Sequence, residues 1–245
     1  MTSKEGAPRA DSLSGVRAAS GLPQRLGAEF LGSLLLAGVV IGSGILGERL
    51  AGGNDAIALL ANTGATAAIL YVLVTAFAPI SGAHFNPAVT LAMVLRRALK
   101  PADGALYAAA QIAGCIAGAL LAHAMFELSL LQQGTQERSG LAQGLSEAVA
   151  AFALVLTILL VSRARADALA AAVALVIAAG YWWTASTSFA NPAITIARAM
   201  SDTFAGIRMA DAPVFIGAQV VGAVTALGAA RLVALPVQQG AVRDR

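Results

Sequence analysis

The sequence predicts an all-α membrane protein with six transmembrane helices and two re-entrant half-helices, arranged as an inverted 3+3 repeat. One observation is composition, because the 245-residue chain is 58% hydrophobic and only 12% charged, as polytopic membrane proteins are. A second is the tripeptide Asn-Pro-Ala, which occurs at Asn86-Pro87-Ala88 and again at Asn191-Pro192-Ala193. A third is a set of six apolar segments, each long enough to cross a bilayer.

The six segments each approach or exceed the roughly 20 residues that span the hydrocarbon core. They form one channel domain at 25–235, with repeat one at about 25–126 and repeat two at about 141–235. The polar tails at 1–24 and 236–245 are predicted to be cytoplasmic, and the first of them disordered. The predicted spans are Leu26–Leu46, Ala56–Ile80, Ala105–Phe126, Leu141–Val161, Ala168–Phe189 and Pro213–Leu235.

Each Asn-Pro-Ala motif predicts the beginning of a short helix. Asn is a good N-cap, and Pro is favoured at the first helical position. The apolar stretches that follow, Asn86 to Leu95 and Asn191 to Met200, are too short to cross a membrane. Two half-helices, one in each repeat, are typical of the broken helices that form a central site in repeat-built membrane proteins.

The distribution of Lys and Arg predicts the orientation of the chain. An odd number of crossings per repeat inverts the second repeat relative to the first. With the amino end inside, twelve of the 16 basic residues lie on the cytoplasmic side, as the positive-inside rule requires. We therefore expect an inner-membrane protein with both termini in the cytoplasm, and basic residues on the outer side at Arg49, Arg138, Arg198 and Arg208.

Composition also argues against several classes of function. The net charge of +3 is spread over short loops, so no nucleic-acid partner is expected. Two His and one Cys are too few for a His-based metal site or an internal disulfide. Neither a nucleophile–base pair nor a phosphate-binding loop can be assembled, so we expect no catalytic residues, no cofactor and no enzymatic activity.

The two repeats share further polar residues inside their spans. Glu29 in span one has a counterpart in Glu147 of span four. An Ala-Gln pair ending at Gln111 in span three matches a pair ending at Gln219 in span six. Carboxylates inside membrane spans are candidates for a functional site by default.

The segment Ser81–Thr90, which reads SGAHFNPAVT, resembles the first signature of the aquaporin and aquaglyceroporin, or major intrinsic protein, family. The second motif, the buried glutamates and the Ala-Gln pairs are also similar to that family. The resemblance covers about 25–235. It implies a homotetramer of independently conducting pores in the lipid bilayer, with passive flow of water and small neutral solutes and no cofactor.

The resemblance also assigns roles to the matching residues. Asn86 and Asn191 would lie at the pore centre, where the half-helix dipoles oppose cations and the side-chain amides donate to a passing oxygen. His84 would line or brace the cytoplasmic half of the pore. Structural support of the re-entrant loops, rather than proton transfer or ion binding, is implied for Glu29, Glu147, Gln111 and Gln219.

The chain departs from the family at the outer constriction. Relatives that conduct water or glycerol usually have Arg three residues after the second Asn, where this chain has Ile194. Counting from the motifs carries the other constriction positions onto Thr66, Ala179 and Ser188. All four residues are small or aliphatic, so we expect a wider and less polar constriction than in a strict water channel.

Arg198 offers a possible compensation, because it lies one helical turn beyond Ile194 on the same face. It either replaces the missing cation barrier from the outer vestibule or pairs with Asp202 at the surface. The stretch from Ser186 to Gly206 also resembles bacterial aquaporin-like channels that accompany arsenic-resistance genes. That resemblance implies passage of arsenous acid, a neutral trihydroxide at neutral pH.

The predicted function is therefore a passive channel for small uncharged solutes, with arsenous acid or similar metalloid hydroxides favoured. A general water, glycerol or urea channel is the alternative within the same class. A secondary transporter is a further alternative, because inverted repeats and broken helices also build transporters. A non-conducting structural member of the family is the remaining one.

Overall fold

The computed structural model describes residues 20–233. Over this range the chain forms eight α-helices and one 3-10 turn at Ala166–Ala168. Six of these helices are long and apolar enough to cross a membrane, and two are short, which confirms the predicted fold class. The helices are α1 Leu22–Leu50, α2 Asp55–Phe77, α3 Pro87–Leu95, α4 Pro101–Met125, α5 Leu141–Ala164, α6 Leu169–Trp183, α7 Pro192–Ala199 and α8 Ala212–Val233.

The predicted boundary at the amino-terminal end of the domain changes. Helix α1 already begins at Leu22, so the predicted tail at 1–24 extends too far; Pro23, in the first turn, is compatible with a helix start there. The rest of that tail, 1–19, lies outside the described residues, as do 234–245 and with them the predicted second tail.

The prediction that span five continues to Phe189 is wrong. Helix α6 ends at Trp183, and the chain then runs in extended and left-handed conformations to the second motif. Thr187, Ser188 and Ala190 all have positive φ, which a right-handed helix does not accommodate. Residues 184–189 are small or apolar enough to resemble part of a span, so hydropathy alone does not locate the end of the helix.

The two repeats pack as near copies of each other. Helix α1 lies against α4, and α5 lies against α8. In both pairs a glycine allows the backbones to approach: a Cβ at Gly114 would overlap the carbonyl oxygen of Phe30, and one at Gly222 would overlap that of Ala148. Below, the end at which α1 begins is called the inner end and the opposite end the outer end, after the predicted topology.

Each half-helix contacts both repeats. Helix α3 packs on α4 of its own repeat and on α8 of the other, and α7 packs on α8 and on α4. The half-helices are therefore enclosed by the third and sixth spans, and their amino-terminal ends meet inside the molecule.

Candidate functional site

The two motif asparagines each cap the half-helix that they begin. Asn86 Oδ1 accepts a hydrogen bond from the N–H of Ala88 at 2.8 Å, and Asn191 Oδ1 accepts one from Ala193 at 2.9 Å. Pro87 and Pro192 occupy the first position of each helix, where the missing N–H costs nothing. The residues of both motifs are thus placed as the sequence predicts, at the starts of α3 and α7.

The same asparagines also join the two repeats. Asn86 Nδ2 donates to the carbonyl oxygen of Ala190 at 2.7 Å, and Asn191 Nδ2 donates to that of Phe85 at 2.8 Å. Each amide group carries two hydrogens, so one hydrogen of each is left for another acceptor. Both asparagines line an internal cavity.

The loops before the motifs hold the same unusual conformation. Ala83 and Phe85 have φ of 50° and 48°, and their counterparts Ser188 and Ala190 have φ of 52° and 50°. A non-glycine residue in this region costs about 1–2 kcal/mol, so surrounding contacts must stabilise each loop.

In repeat one, the buried carboxylate of Glu29 contributes this stabilisation. Glu29 accepts hydrogen bonds from the backbone N–H of His84 at 3.0 Å and of Phe85 at 2.7 Å. It also accepts from Ser81 Oγ at 2.6 Å and from Gln111 Nε2 at 2.7 Å. Four donors leave no free side of the carboxylate for an ion, and the residue is fully buried.

Repeat two has the same arrangement of a buried glutamate beside its loop. Glu147 accepts from the N–H groups of Phe189 and Ala190, both at 2.9 Å, and from Gln219 Nε2 at 2.6 Å. Gln219 also donates to Thr195 Oγ1 at 2.9 Å, as Gln111 does to Thr90 Oγ1. Each glutamine therefore links its glutamate to the half-helix that follows the loop.

A cavity of about 280 Å³ passes beside the two asparagines. Its walls are built from residues four apart on α1, α2, α5 and α6, which place one helical face of each toward the cavity. These faces are mostly aliphatic, whereas the loops and half-helices contribute the polar wall. The aliphatic faces are Leu36 and Val40, Leu70 and Val74, Leu154 and Ile158, and Leu169, Val173 and Ile177.

Three of the four predicted constriction residues line this cavity, and one does not. Thr66, Ser188 and Ile194 lie on its wall. The assignment of Ala179 is wrong, because Ala179 is exposed on the outer surface of α6. The α6 residues next to Ala179 in sequence that face the cavity are Ile177 and Tyr181, and the hydroxyl groups of Tyr181 and Thr66 lie 3.2 Å apart.

The error in α6 has a structural cause. Counting back from Asn191 fixes a number of residues and not a helical face, and the non-helical segment 184–190 lies between the motif and α6. Tyr181 is buried, whereas Trp182 and Trp183 are exposed.

Arg198 lines the cavity and does not form the surface pair with Asp202. Its side chain is buried, its Nε donates to the carbonyl oxygen of Ala205, and its guanidinium carbon lies 3.3 Å from the centroid of the Phe189 ring. Asp202 instead accepts from the hydroxyl of Thr135 at 2.7 Å. Of the two alternatives from the sequence, the surface pair is therefore wrong.

Arg138 is a residue that sequence reasoning missed. It lies in the segment between α4 and α5, and its guanidinium donates to the carbonyl oxygens of Gly206 at 3.0 Å and of Ser186 at 3.4 Å. Its guanidinium carbon lies 5.2 Å from the centroid of the Phe189 ring. Burial lowers the pKa of Arg138, although the charge of Glu147 opposes that shift. All of these contacts are distant in sequence, so no local pattern points to them.

The inner half of the cavity carries basic and weakly polar groups. His84 lines it, with Nδ1 3.1 Å from Thr90 Oγ1 and its ring 5.4 Å from that of Tyr107. Arg96 lines the inner mouth, where burial and the charge of Arg163 lower its pKa. Among residues 20–233, no cluster of His, Cys, Asp or Glu suited to a metal ion is found.

Comparison with known proteins identifies the family. The profile of the major intrinsic protein family matches residues 18–167. Aquaglyceroporin AqpS of Rhizobium meliloti is 52% identical over 217 residues, which cover 89% of this chain and 93% of that protein. The chain belongs to the major intrinsic protein family. Members of this family are channels and not enzymes, and this chain is a multi-pass membrane protein.

More distant relatives agree with this membership. Aquaporin NIP6-1 of Arabidopsis thaliana is 28% identical over 229 residues, covering 91% of this chain and 73% of that protein. The X-ray structure of the aquaglyceroporin from Plasmodium falciparum superposes with a TM-score of 0.66 at 18% identity, over 85% of this chain and 95% of the other. At that identity the structural match establishes the fold alone.

Proposed function

We propose that this protein is a passive channel for small uncharged solutes and that arsenous acid and similar metalloid hydroxides are its favoured substrates. The observation that carries the proposal is the charge of the cavity wall. Among residues 20–233, the ionisable residues on it are His84, Arg96, Tyr181 and Arg198, and no carboxylate lines it. A wall with basic groups and no acidic ones repels cations and offers neutral solutes hydrogen-bond partners.

The wall is also divided in a way that suits a hydroxylated solute. Aliphatic faces form most of it, and the polar groups of Asn86, Asn191, Thr66 and Ser188 lie along the remainder. A small trihydroxide passes with its hydroxyl groups on the polar side and its central atom toward the aliphatic side. Ile194 adds no charge of its own at the outer constriction, so the wall selects weakly among such solutes.

The centre of the cavity opposes proton and cation passage. The amino-terminal ends of α3 and α7 each carry about half a positive charge and meet there. The remaining N–H of each asparagine amide donates to a passing oxygen. A water oxygen that accepts hydrogen bonds from both amides points its own hydrogens away from them. This orientation interrupts the hydrogen-bonded chain of water molecules along which a proton would move.

Topology and assembly complete the proposal. The positive-inside distribution favours an inner-membrane protein with both termini in the cytoplasm. Exposed apolar residues on α2, such as Leu60 and Val72, suit contact with lipid or with neighbouring subunits of a homotetramer. Because the cavity lies within one chain, each subunit would conduct independently.

The test is initial uptake of arsenous acid into proteoliposomes at neutral pH without an ion gradient, over a range of concentrations. A passive channel gives uptake well above empty liposomes that rises linearly with concentration. Background uptake would contradict the metalloid assignment, and saturable uptake that needs an ion gradient would indicate a secondary transporter. Ile177→Trp, which fills the cavity, serves as the matched blocked control.

A general channel for glycerol, urea and water is the second candidate. The Rhizobium relative is named an aquaglyceroporin, which favours it. Parallel measurements of glycerol and urea flux separate the two candidates. Equal permeability to all three solutes would favour the general channel, and faster passage of arsenous acid would favour the metalloid channel.

A further inference from the structure

Two arginine side chains stack on one phenylalanine ring at the outer part of the cavity. The guanidinium carbon of Arg198 lies 3.3 Å from the centroid of the Phe189 ring, and that of Arg138 lies 5.2 Å from it. Both distances are within the range of a cation–π contact, which is about 6 Å. The arginines come from separate parts of the chain, α7 and the segment between α4 and α5.

Neither guanidinium is neutralised by a direct ion pair. Among residues 20–233, no carboxylate oxygen lies within 4.0 Å of either one. Their hydrogen bonds go to carbonyl oxygens of the main chain: Ala205 for Arg198, and Gly206 and Ser186 for Arg138. Glu147 places a negative charge in the field of both arginines, and it already accepts three hydrogen bonds. The Asp211 carboxylate beside the Arg138 backbone is paired with Arg208, so three positive charges against two leave this region cationic.

Arg198 presents unpaired donors to the cavity. Within the described part of the chain, only its Nε donates to a protein acceptor, and its two terminal nitrogens have no protein partner. These nitrogens are not among the buried atoms that lack a partner, so they are accessible from the cavity that Arg198 lines. The side chain as a whole is nonetheless 3% exposed, which keeps the charge away from bulk water.

Arg138 limits where Arg198 can lie. Its backbone N–H is fixed by Asp211 Oδ2 at 2.9 Å, and its guanidinium is fixed by two carbonyl oxygens. It faces the ring of Phe189, which also lines the cavity, and its positive charge repels that of Arg198. A fixed ring and a fixed like charge both favour the observed position of Arg198 against the cavity.

We propose that Arg198 is the specificity-determining charge of the outer constriction, and that Arg138, acting through Phe189, is the residue that positions it. This inference rests on the proposed channel function and adds the device that rejects cations at the outer end. The charge is displaced one helical turn outward from Ile194. A neutral solute passes Ile194 against an aliphatic wall, whereas a cation meets a desolvated guanidinium before it reaches the asparagines.

The experiment compares a neutral solute with a cation of nearly the same shape. Urea and guanidinium are measured as labelled tracers entering proteoliposomes whose membrane potential is clamped with K⁺ and valinomycin. The wild type is expected to admit urea and to exclude guanidinium. Arg198→Met is expected to raise guanidinium uptake by about tenfold or more while urea uptake is kept. Arg198→Lys preserves the charge and should restore exclusion.

Arg138→Met tests the positioning role separately. Loss of position raises the ratio of guanidinium to urea uptake, whereas a purely structural defect lowers both uptakes together. Arg49→Met is the matched control, because Arg49 is an exposed outer-end arginine that does not line the cavity. If Arg198→Met does not insert into liposomes, the Arg138→Met ratio decides.

Unchanged guanidinium exclusion in Arg198→Met and Arg138→Met would overturn the proposal and assign exclusion to the pore centre. A rise in Arg49→Met as large as in Arg198→Met would also overturn it, because the effect would then be one of surface charge. If the proposed channel function itself is wrong, the result is different, because the wild type would then pass neither urea nor arsenous acid.

Discussion

The side-chain amide of Asn86 donates a hydrogen bond to the main-chain carbonyl of Ala190, 2.7 Å away in the other repeat. In the same way, the side-chain amide of Asn191 donates a hydrogen bond to the main-chain carbonyl of Phe85 at 2.8 Å. Each asparagine thus caps its own half-helix with Oδ1 and holds the opposite loop with Nδ2. The central motif is a structural clamp between the repeats as well as a feature of the cavity wall.

This clamp predicts a specific loss of stability in Asn86→Ser. Serine remains a good N-cap but is too short to reach Ala190, so a buried carbonyl loses its donor. We expect destabilisation by about 1–3 kcal/mol, measured as thermal unfolding in detergent. Asn54→Ser is the control, because Asn54 caps α2 at an exposed end without a bond to the other repeat. An equal loss in both variants would show that only capping matters.

Close packing of α1 and α4 predicts intolerance at Gly114. A methyl group there overlaps the carbonyl oxygen of Phe30, so Gly114→Ala should cost about 1–3 kcal/mol and lower the unfolding temperature. Gly27→Ala is the matched control, because nothing lies within 4 Å of its added Cβ. Alanine favours helix, so the control should be neutral or slightly more stable. Similar behaviour of the two variants would contradict the packing of these helices.

The corrected register of α6 predicts opposite outcomes for neighbouring substitutions. Ile177→Trp fills the cavity and should abolish solute flux, measured by stopped-flow swelling of proteoliposomes in glycerol. Ala179→Trp places the same side chain on the exposed face and should leave the flux near that of the wild type. Reversal of these results would restore the register predicted from the sequence.

The spans and the half-helix starts could be predicted because hydropathy, Asn capping and Pro at the first turn are local signals. Positions such as Ala179 could not, because a non-helical segment separates α6 from the motif used for counting. The contacts of Arg138 could not be predicted for a different reason. Its partners, among them Ser186 and Gly206, lie tens of residues away and are mostly backbone groups, which no side-chain pattern records.

Ile194 predicts how the outer constriction distinguishes solutes by size. Ile194→Arg introduces a long charged side chain into the cavity wall and should reduce glycerol flux by about tenfold, with a smaller effect on water. Ile194→Leu keeps the volume and serves as the control. The measurement is paired glycerol and water permeability on the same liposomes, and an equal loss of both would remove Ile194 from the constriction.

Asp211 predicts acid sensitivity of the outer loops. Burial would raise its pKa, but hydrogen bonds from Arg208 at 2.9 Å and from the Arg138 N–H at 2.9 Å outweigh burial and lower it. A carboxyl group whose pKa is lowered by folding stabilises the folded state at pH above its ordinary pKa. This stabilisation is lost as the pH falls through the lowered pKa of the folded state.

We therefore expect Asp211→Asn to unfold at a lower temperature than the wild type at pH 7, with the two proteins converging as the pH is lowered below the ordinary pKa of an aspartate carboxyl group. Thermal unfolding in detergent over this range checks the prediction. Glu137→Gln removes an exposed carboxylate, 3.5 Å from Arg208, and should leave a smaller difference. A difference between Asp211→Asn and wild type that stays constant with pH would contradict the titration of Asp211.

The crossed hydrogen bonds at the motifs also bear on how the protein is made. Asn191 lies 106 positions after Phe85, whose carbonyl it satisfies, so translation of repeat one ends long before that donor exists. Until then the first loop and its strained residues have contacts from their own repeat only, among them the hydrogen bonds to Glu29. Completion of the pore wall is therefore a late event in biosynthesis, and it waits for the last third of the polypeptide to enter the bilayer.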